Sequence, residues 1–207
     1  KFAKNSYDKA IAAIKDGKFK AEIVPVVMKG RKGEVSVDTD EEPANVNFEK
    51  MASLKPAFDK EGTITAANAS KINDGASAVM VMSHEESQRR GMKPLARIVG
   101  YTTYSQEPEW FTTAPVGAIQ KVLAKAGWKS SDVDLYEVNE AFAVVTMAAM
   151  KDIGIAADKV NVNGGAVALG HPIGATGARI ITTLIYALKR RGLKKGVAAL
   201  CIGGGEA

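Results

Sequence analysis

The chain lacks several things, and each shortage closes off a class of function. It has one cysteine and two histidines. A single thiol excludes an internal disulfide, fits a reducing cytoplasm, and leaves no His/Cys cluster at metal-ligand spacing. Aromatic residues make up 6% of the sequence, too few and too scattered for a stacking platform on single-stranded nucleic acid. No run approaches the ~20 apolar residues that a membrane span needs. No basic leader precedes an apolar core, so nothing suggests export, and the expected compartment is the cytoplasm. A Walker loop and a Gly-x-Ser-x-Gly elbow are both missing, and Gly170, Gly174 and Gly177 do not have dinucleotide-fingerprint spacing.

What remains is an ordinary globular composition, with 46% hydrophobic and 25% charged residues over 207 positions. That length suits one large domain or one and a half ordinary ones. The net charge is +5, but the basic residues are spread out. The densest run, KRRGLKKG from Lys189, falls at a helix C-terminus, where cations complement the helix dipole. Nucleic-acid binding is therefore the least favoured of the available classes.

Apolar periodicity predicts a helix over 2–14 that stops at Gly17, then strands over 21–30 and 34–40, the first bent by Pro25. A short helix is expected in 47–58, ended by Lys55-Pro56. Residues 61–75 read as a loop crossing a site. Beyond them come an apolar strand over 76–83 and a helix capped by Ser83 in a capping box with Glu86. A longer strand over 94–104 and an amphipathic helix over 114–126 follow. The remainder reads as a strand and helix over 130–154, a short strand at 159–161, a helix over 174–190 and a buried strand over 196–204. Alternating strands and helices imply an α/β fold, a mixed sheet covered by helices on both faces. The expected division is a loop-rich subdomain over 1–72 and an α/β domain over 73–207. The chain opens on Lys1 inside a helix and closes on a strand running into Gly203-Gly204-Gly205, which reads as a piece of a longer protein.

Three positions invite chemistry. Cys201 stands at a strand end just before three glycines, whose backbone N–H groups could line an oxyanion site. The competing reading is a small buried apolar residue. His171 lies between Gly170 and Pro172, ahead of a helix N-terminus built from Gly174, Thr176 and Gly177. Asn139, in Asn139-Glu140-Ala141-Phe142, joins a strand to a helix and reads equally as an N-cap or as a group that holds a water or a carbonyl oxygen. His84, at an exposed helix start, is assigned no role. From the residues alone, Cys201 would be a nucleophile and His171 its base.

Together these segments resemble the thiolase family. NVNGGAVALGHPIGATG looks like its glycine-histidine signature, LCIGGGEA its C-terminal cysteine signature, and NEAFA its asparagine motif. EGTITAANASKINDGASAVMVMS is similar to the loop lining the coenzyme A site. The resemblance covers nearly the whole chain and is nearest to the short-chain group, the acetyl-CoA C-acetyltransferases. It implies the C-terminal half of the thiolase-like layered fold, with part of the lid subdomain in 1–72 and a truncated last strand. It also implies reversible Claisen condensation of two acetyl-CoA to acetoacetyl-CoA and CoA. Cys201 would then be the acid/base, His171 would activate the nucleophilic thiol and help hold the thioester oxygen, Asn139 would fix a water, and the Gly203 N–H would serve a second oxyanion site. Ala66, Ser70, Ile72, Phe111, Ala141 and Phe142 fall where the family contacts coenzyme A. No permanently bound cofactor and no metal are implied. The partners implied are CoA thioesters, the missing N-terminal half, and further copies in a dimer or tetramer, with no nucleic acid and no membrane.

The departures are specific. The family's acyl-accepting cysteine has no counterpart here, so the fragment is expected to be inactive alone. Ala44 and Asn45 stand where many relatives carry an arginine for the CoA nucleotide, and Lys71 where glycine is frequent. A degradative 3-ketoacyl-CoA thiolase of longer chains and a non-catalytic thiolase-like acyl or lipid carrier are the alternatives.

Overall fold

The computed structural model describes residues 1–31 and 33–207. Helix α1 (Phe2–Lys15) forms where small and apolar residues recur at helical spacing, and it buries Ala3, Ser6, Tyr7, Ala10 and Ala13. Turns occupy 16–22, so the first strand starts only after Pro25. Strands β1 (Val26–Gly30) and β2 (Gly33–Val37) pair antiparallel as a hairpin exposed along its whole length. A 3-10 helix at Glu42–Asn45 is an element that periodicity did not announce. Helix α2 (Phe48–Met51), capped by Asn47, ends well before Lys55-Pro56.

Helix α3 (His84–Arg89) starts as expected, with Ser83 Oγ accepting from the Glu86 N–H at 3.2 Å. The other half of the capping box is absent, because the Glu86 carboxylate is taken by Arg89 and Arg90. Helix α4 (Ala114–Ala126) ends on left-handed Gly127. Strand β3 (Leu135–Val138) leads through a short loop to α5 (Ala143–Ile153). The glycine-rich segment holds an unforeseen single turn, α6 (Ala166–Leu169), ahead of α7 (Thr176–Arg191). Strand β4 (Gly196–Ala199) is shorter than expected, and Cys201 lies beyond it.

Strands β3 and β4 run parallel, with Val138 opposite Ala199. On the other side of β3, Val160 bridges Tyr136 in parallel, so the backbone order is 160, β3, β4. Alternation along β3 sorts its side chains. Tyr136 and Val138 face a cluster with Ile119 and Leu123 of α4 and Val145 and Ala149 of α5. Leu135 joins Leu184 and Ala187 of α7 on the opposite face. Burying each of the larger side chains stabilises by roughly 1.5–3 kcal/mol. Helices therefore cover both faces, as an α/β fold requires. Helix α1 packs Ala3, Tyr7 and Ala10 against Val167 and Ala168 of α6, which brings it beside the glycine-rich loop.

Two expected strands do not form. Residues 76–83 and 94–103 join no ladder among the described residues, and their apolar side chains, including Met80, Val81, Leu95, Ile98 and Tyr101, are exposed. A strand needs a neighbouring backbone, and alternation does not supply one. Only Tyr104 finds such a neighbour: its N–H donates to the Ala207 carbonyl and its carbonyl accepts from the Ala207 N–H, both at 2.8 Å. Nearby, Lys121 and Lys125 donate to the carbonyls of Thr103 and Tyr101 at 3.3 and 3.1 Å.

Candidate active site

The C-terminal ends of β3 and β4 define the site, the edge at which parallel sheets present chemistry. Asn139 follows β3 directly, and its N–H donates to the Ala199 carbonyl at 2.9 Å. It is not an N-cap. Helix α5 begins four residues later, with Phe142 at the cap position and no side-chain cap bond. The Asn139 carboxamide is buried, with Nδ2 3.3 Å from His171 Nε2. Its Oδ1 accepts no hydrogen bond from the described residues, which leaves an acceptor for a substrate group or a water.

His171 is held from several directions. Its backbone N–H donates to the Lys71 carbonyl at 2.8 Å, tying it to the 66–73 loop. Nδ1 lies 2.7 Å from Thr176 Oγ1 on the first turn of α7. The preceding Gly170 has φ +97°, and a Cβ there would fall 2.2 Å from Asn73 Oδ1, so no side chain fits without moving the loop. Burial, followed by the charge of Arg179, lowers the His171 pKa. The ring is therefore neutral at neutral pH and able to accept a proton.

Cys201 is buried in the α4–α5 cluster, two residues beyond the Ala199 that pairs with Val138. Burial pushes its thiol pKa up, with a partial offset from a backbone hydrogen bond. No hydrogen bond joins Cys201 to His171 among the described residues. The nucleophile–base dyad read from residues alone is therefore not formed: the His171 ring is engaged by Asn139 and Thr176 instead. Gly203 sits exposed in the turn after Cys201 with open space around its Cα. That turn is closed by the Ile202 N–H on the Glu206 carbonyl at 2.8 Å.

The other anticipated residues divide into two groups. The Ser70 N–H donates to the Ala141 carbonyl at 2.9 Å, and Ala69 bridges Phe142, so the loop lies along 141–143. Phe142 meets Phe111 and Phe58 edge-on, with ring centroids 6.3 and 6.0 Å away. Ile72, 90% exposed, and Ala66 are not brought against this surface. Lys71 pairs with Glu42 in the 3-10 turn that also holds Ala44 and Asn45, and its ammonium lies 5.7 Å above the Tyr7 ring.

Sequence reasoning missed the residues that hold this edge together. Glu140 is fully buried and accepts from Ser6 Oγ (2.7 Å), Asn161 Nδ2 (2.8 Å) and the Val167 N–H (3.1 Å). Burial raises its pKa while these donors oppose the rise. Asn161, at φ +44°, mimics a strand neighbour. Its Oδ1 accepts from the Val138 N–H at 2.9 Å, and its Nδ2 donates to the Val138 carbonyl at 2.8 Å. Gly165 must be glycine, because a Cβ would sit 2.4 Å from Glu140 Oε1. The available signals were the acidic residue beside Asn139 and the asparagine opening the glycine-rich run. No spacing rule connects them to Ser6.

A carboxamide on an imidazole after one strand, with a buried thiol two residues beyond the neighbouring one, is a set suited to proton transfer and to holding a carbonyl oxygen. This chain belongs to the thiolase family: residues 1–85 match the family model of the thiolase N-terminal domain and residues 92–207 that of the thiolase C-terminal domain. It is 56% identical to an acetyl-CoA acetyltransferase of Shinella zoogloeoides, covering 99% of this chain and 52% of that protein. A cytosolic acetyl-CoA acetyltransferase of Mus musculus is 51% identical with the same coverage. Among solved structures, the acetyl-CoA acetyltransferase of Bacillus anthracis superposes with a TM-score of 0.94 at 49% identity. Human mitochondrial 3-ketoacyl-CoA thiolase does so at 0.91 and 41%, each match covering 99% of this chain and 52% of the other. The chain thus spans about half the length of the curated relatives it matches.

Proposed function

We propose that this chain supplies the acid/base half of an acetyl-CoA acetyltransferase, which joins two acetyl-CoA into acetoacetyl-CoA and CoA or runs the reverse thiolysis. The observation that carries the reading is the Asn139–His171 contact at the strand edge from which Cys201 also emerges. As a thiolate, Cys201 takes the α-proton of one acetyl-CoA; a thiol whose pKa is raised by burial is a correspondingly strong base once ionised. The electron pair moves onto the thioester oxygen, where His171, in its protonated form, and a water held by Asn139 stabilise the enolate. The enolate carbon then attacks an acyl group carried by a cysteine outside these 207 residues; that cysteine leaves as a thiolate and takes the proton of the His171 imidazolium, which returns to the neutral ring. The Gly203 N–H serves the acyl oxygen in that step.

Ser70, Ala141, Phe142 and Phe111 form the wall along the pantetheine arm, and the exposed Ala66 and Ile72, which stand off that wall, are further coenzyme A contacts. No permanently bound cofactor takes part. The unpaired 76–83 and 94–103 segments are covered by the rest of the full-length protein, which assembles as a dimer or tetramer in the cytoplasm. Among the described residues no helix is long and apolar enough to cross a membrane. The identities favour acetyl-CoA over longer chains, since the acetyl-CoA acetyltransferases named above stand at 49–56% and the 3-ketoacyl-CoA thiolase at 41%.

The test is thiolysis by the full-length protein across acyl chain lengths. Turnover highest on acetoacetyl-CoA supports the reading; a maximum on long 3-ketoacyl-CoA makes it a degradative thiolase. Absence of thiolysis with acyl-CoA still bound makes it a carrier. The 207 residues alone are expected to give no turnover.

A further inference from the structure

Thr176 is fully buried on the first turn of α7 and makes two contacts through one hydroxyl. Its Oγ1 lies 3.0 Å from the Pro172 carbonyl and 2.7 Å from His171 Nδ1. A hydroxyl has one proton to donate and lone pairs to accept with. Donation to the carbonyl four residues back is a familiar bond for threonine in a helix, and it leaves the oxygen facing the ring as an acceptor. The far side of the ring agrees, because Asn139 Nδ2, a donor, faces Nε2.

We propose that Thr176 is the positioning residue that fixes the tautomer of His171: it holds the proton on Nδ1 and so makes Nε2, the nitrogen on the Asn139 side, the ring's proton acceptor. Neutral His171 then takes a thiol proton at Nε2 and, as an imidazolium, returns it or donates it to an oxyanion. Nδ1 keeps its proton throughout, and no proton passes through Thr176. The opposite network is also closed: the hydroxyl would donate to a bare Nδ1, and Nε2–H would donate to an Asn139 turned to present its oxygen. The Pro172 carbonyl could tolerate losing the hydroxyl, since the N–H groups of Ala175 and Thr176 already donate to it at 2.8 and 2.9 Å. Two features separate the networks. In the first, all three polar contacts stand as found, with the Asn139 amide as placed. The two networks also give Thr176 opposite effects on the ring's basicity.

That sign makes the inference testable, and it rests on the proposed function only for its kinetic consequence. An oxygen that accepts from Nδ1–H stabilises the imidazolium more than the neutral ring, so Thr176 raises the His171 pKa. A hydroxyl that donates to Nδ1 would lower it. The charged group acting on the ring is Arg179, one turn along the same helix, and it stays in place in every variant.

The experiment compares the full-length protein with Thr176→Val, which keeps the shape and removes the hydroxyl, and with Thr176→Ser, which restores it. The His171 titration is read by deuterium exchange at the ring C2–H, resolved by peptide mass spectrometry, and thiolysis is read as kcat and KM against pH. In Thr176→Val the His171 pKa is expected to fall by about half a unit to one unit. kcat should fall by about 10–100-fold with KM nearly unchanged, and Thr176→Ser should recover both. A rise in the His171 pKa, or no change in a folded Thr176→Val protein, overturns the inference. If the pKa falls as expected but the wild type lacks thiolysis, the tautomer assignment stands and the proposed function fails. Should Thr176→Val not fold, imidazole nitrogen shifts of the wild type decide alone: Nδ1 protonated and Nε2 bare supports the assignment, and the reverse overturns it.

Discussion

Residues 135–138 and residues 94–103 both fall in segments that the sequence assigns to strands, yet they end in opposite states. Along 135–138 every residue is buried, with β4 on one side and Val160 on the other. Along 94–103 the side chains are largely exposed, and among the described residues only the adjoining Tyr104 has a backbone partner. The difference is one of company, not of propensity. The first run is completed inside the chain, down to Asn161 standing in for a strand neighbour of Val138. The Asn139–His171 contact sits on that completed edge. The Phe142–Phe111–Phe58 surface and the exposed Gly203 turn, by contrast, lie on loops and turns.

The first way to break this comparison is to remove the ring at its edge. His171→Ala in the full-length protein is expected to cost about 10²–10⁴-fold in kcat, as loss of an acid/base group does. Its melting temperature should hardly move, and a stability loss as large as the loss of activity would make His171 structural. The next is Glu140→Ala, which strands the Ser6 hydroxyl, the Asn161 amide and the Val167 N–H in the interior. At ~1–3 kcal/mol for each unsatisfied group, denaturant unfolding should show a loss of about 3 kcal/mol or more. A loss under about 1 kcal/mol would mean that the edge is not held as described.

A smaller effect concerns pH. Burial pushes Glu137 up to about 8 and Glu22 up to about 7, from 4.5. In the folded state both carboxyls keep protons that the unfolded chain releases above that value. Their contribution to stability is therefore fully present below pH 4.5 and is lost as pH rises through 7 to 8. Glu137→Gln should flatten the decline between pH 5 and 8 by roughly 1–3 kcal/mol, read from urea midpoints across that range. An unchanged slope would assign the decline to another group. The smallest effect is Leu95→Ser in the 207-residue chain, expected within ~0.5 kcal/mol because the side chain is already in water. Amide exchange should be fast over 76–83 and 94–103 and slow over 135–138 and 196–199. Equal protection in the two regions would erase the comparison.

Much of this was legible in the sequence, for identifiable reasons. Helices α1, α4 and α7 follow apolar periodicity and end near glycine, and the fold class follows from alternation of elements. His171 stood out because Gly-His-Pro is an unlikely place for a core histidine. What escaped depends on partners distant in sequence. Residues 76–83 carry a strand's pattern but find no backbone to pair with among the described residues. Asn139 reads equally as an N-cap or as a site residue in the sequence, and the start of α5 at Ala143 removes the first reading. Glu140 is read from the sequence only as a neighbour of Asn139, and Thr176 only as part of a helix start; their burial and their contacts with Ser6, Asn161 and His171 depend on the fold. Cys201 was the most ambiguous: its apolar burial satisfied the bland reading while its place at the strand edge supports the chemical one.

The central claim is that Cys201 moves the α-proton and does not carry the acyl group. The direct measurement is Cys201→Ala in the full-length protein, following deuterium exchange at the acetyl-CoA methyl group alongside acylation of the protein by acetyl-CoA. The account predicts that exchange is lost while acylation persists. Loss of both in a folded variant, or exchange that survives, would contradict it.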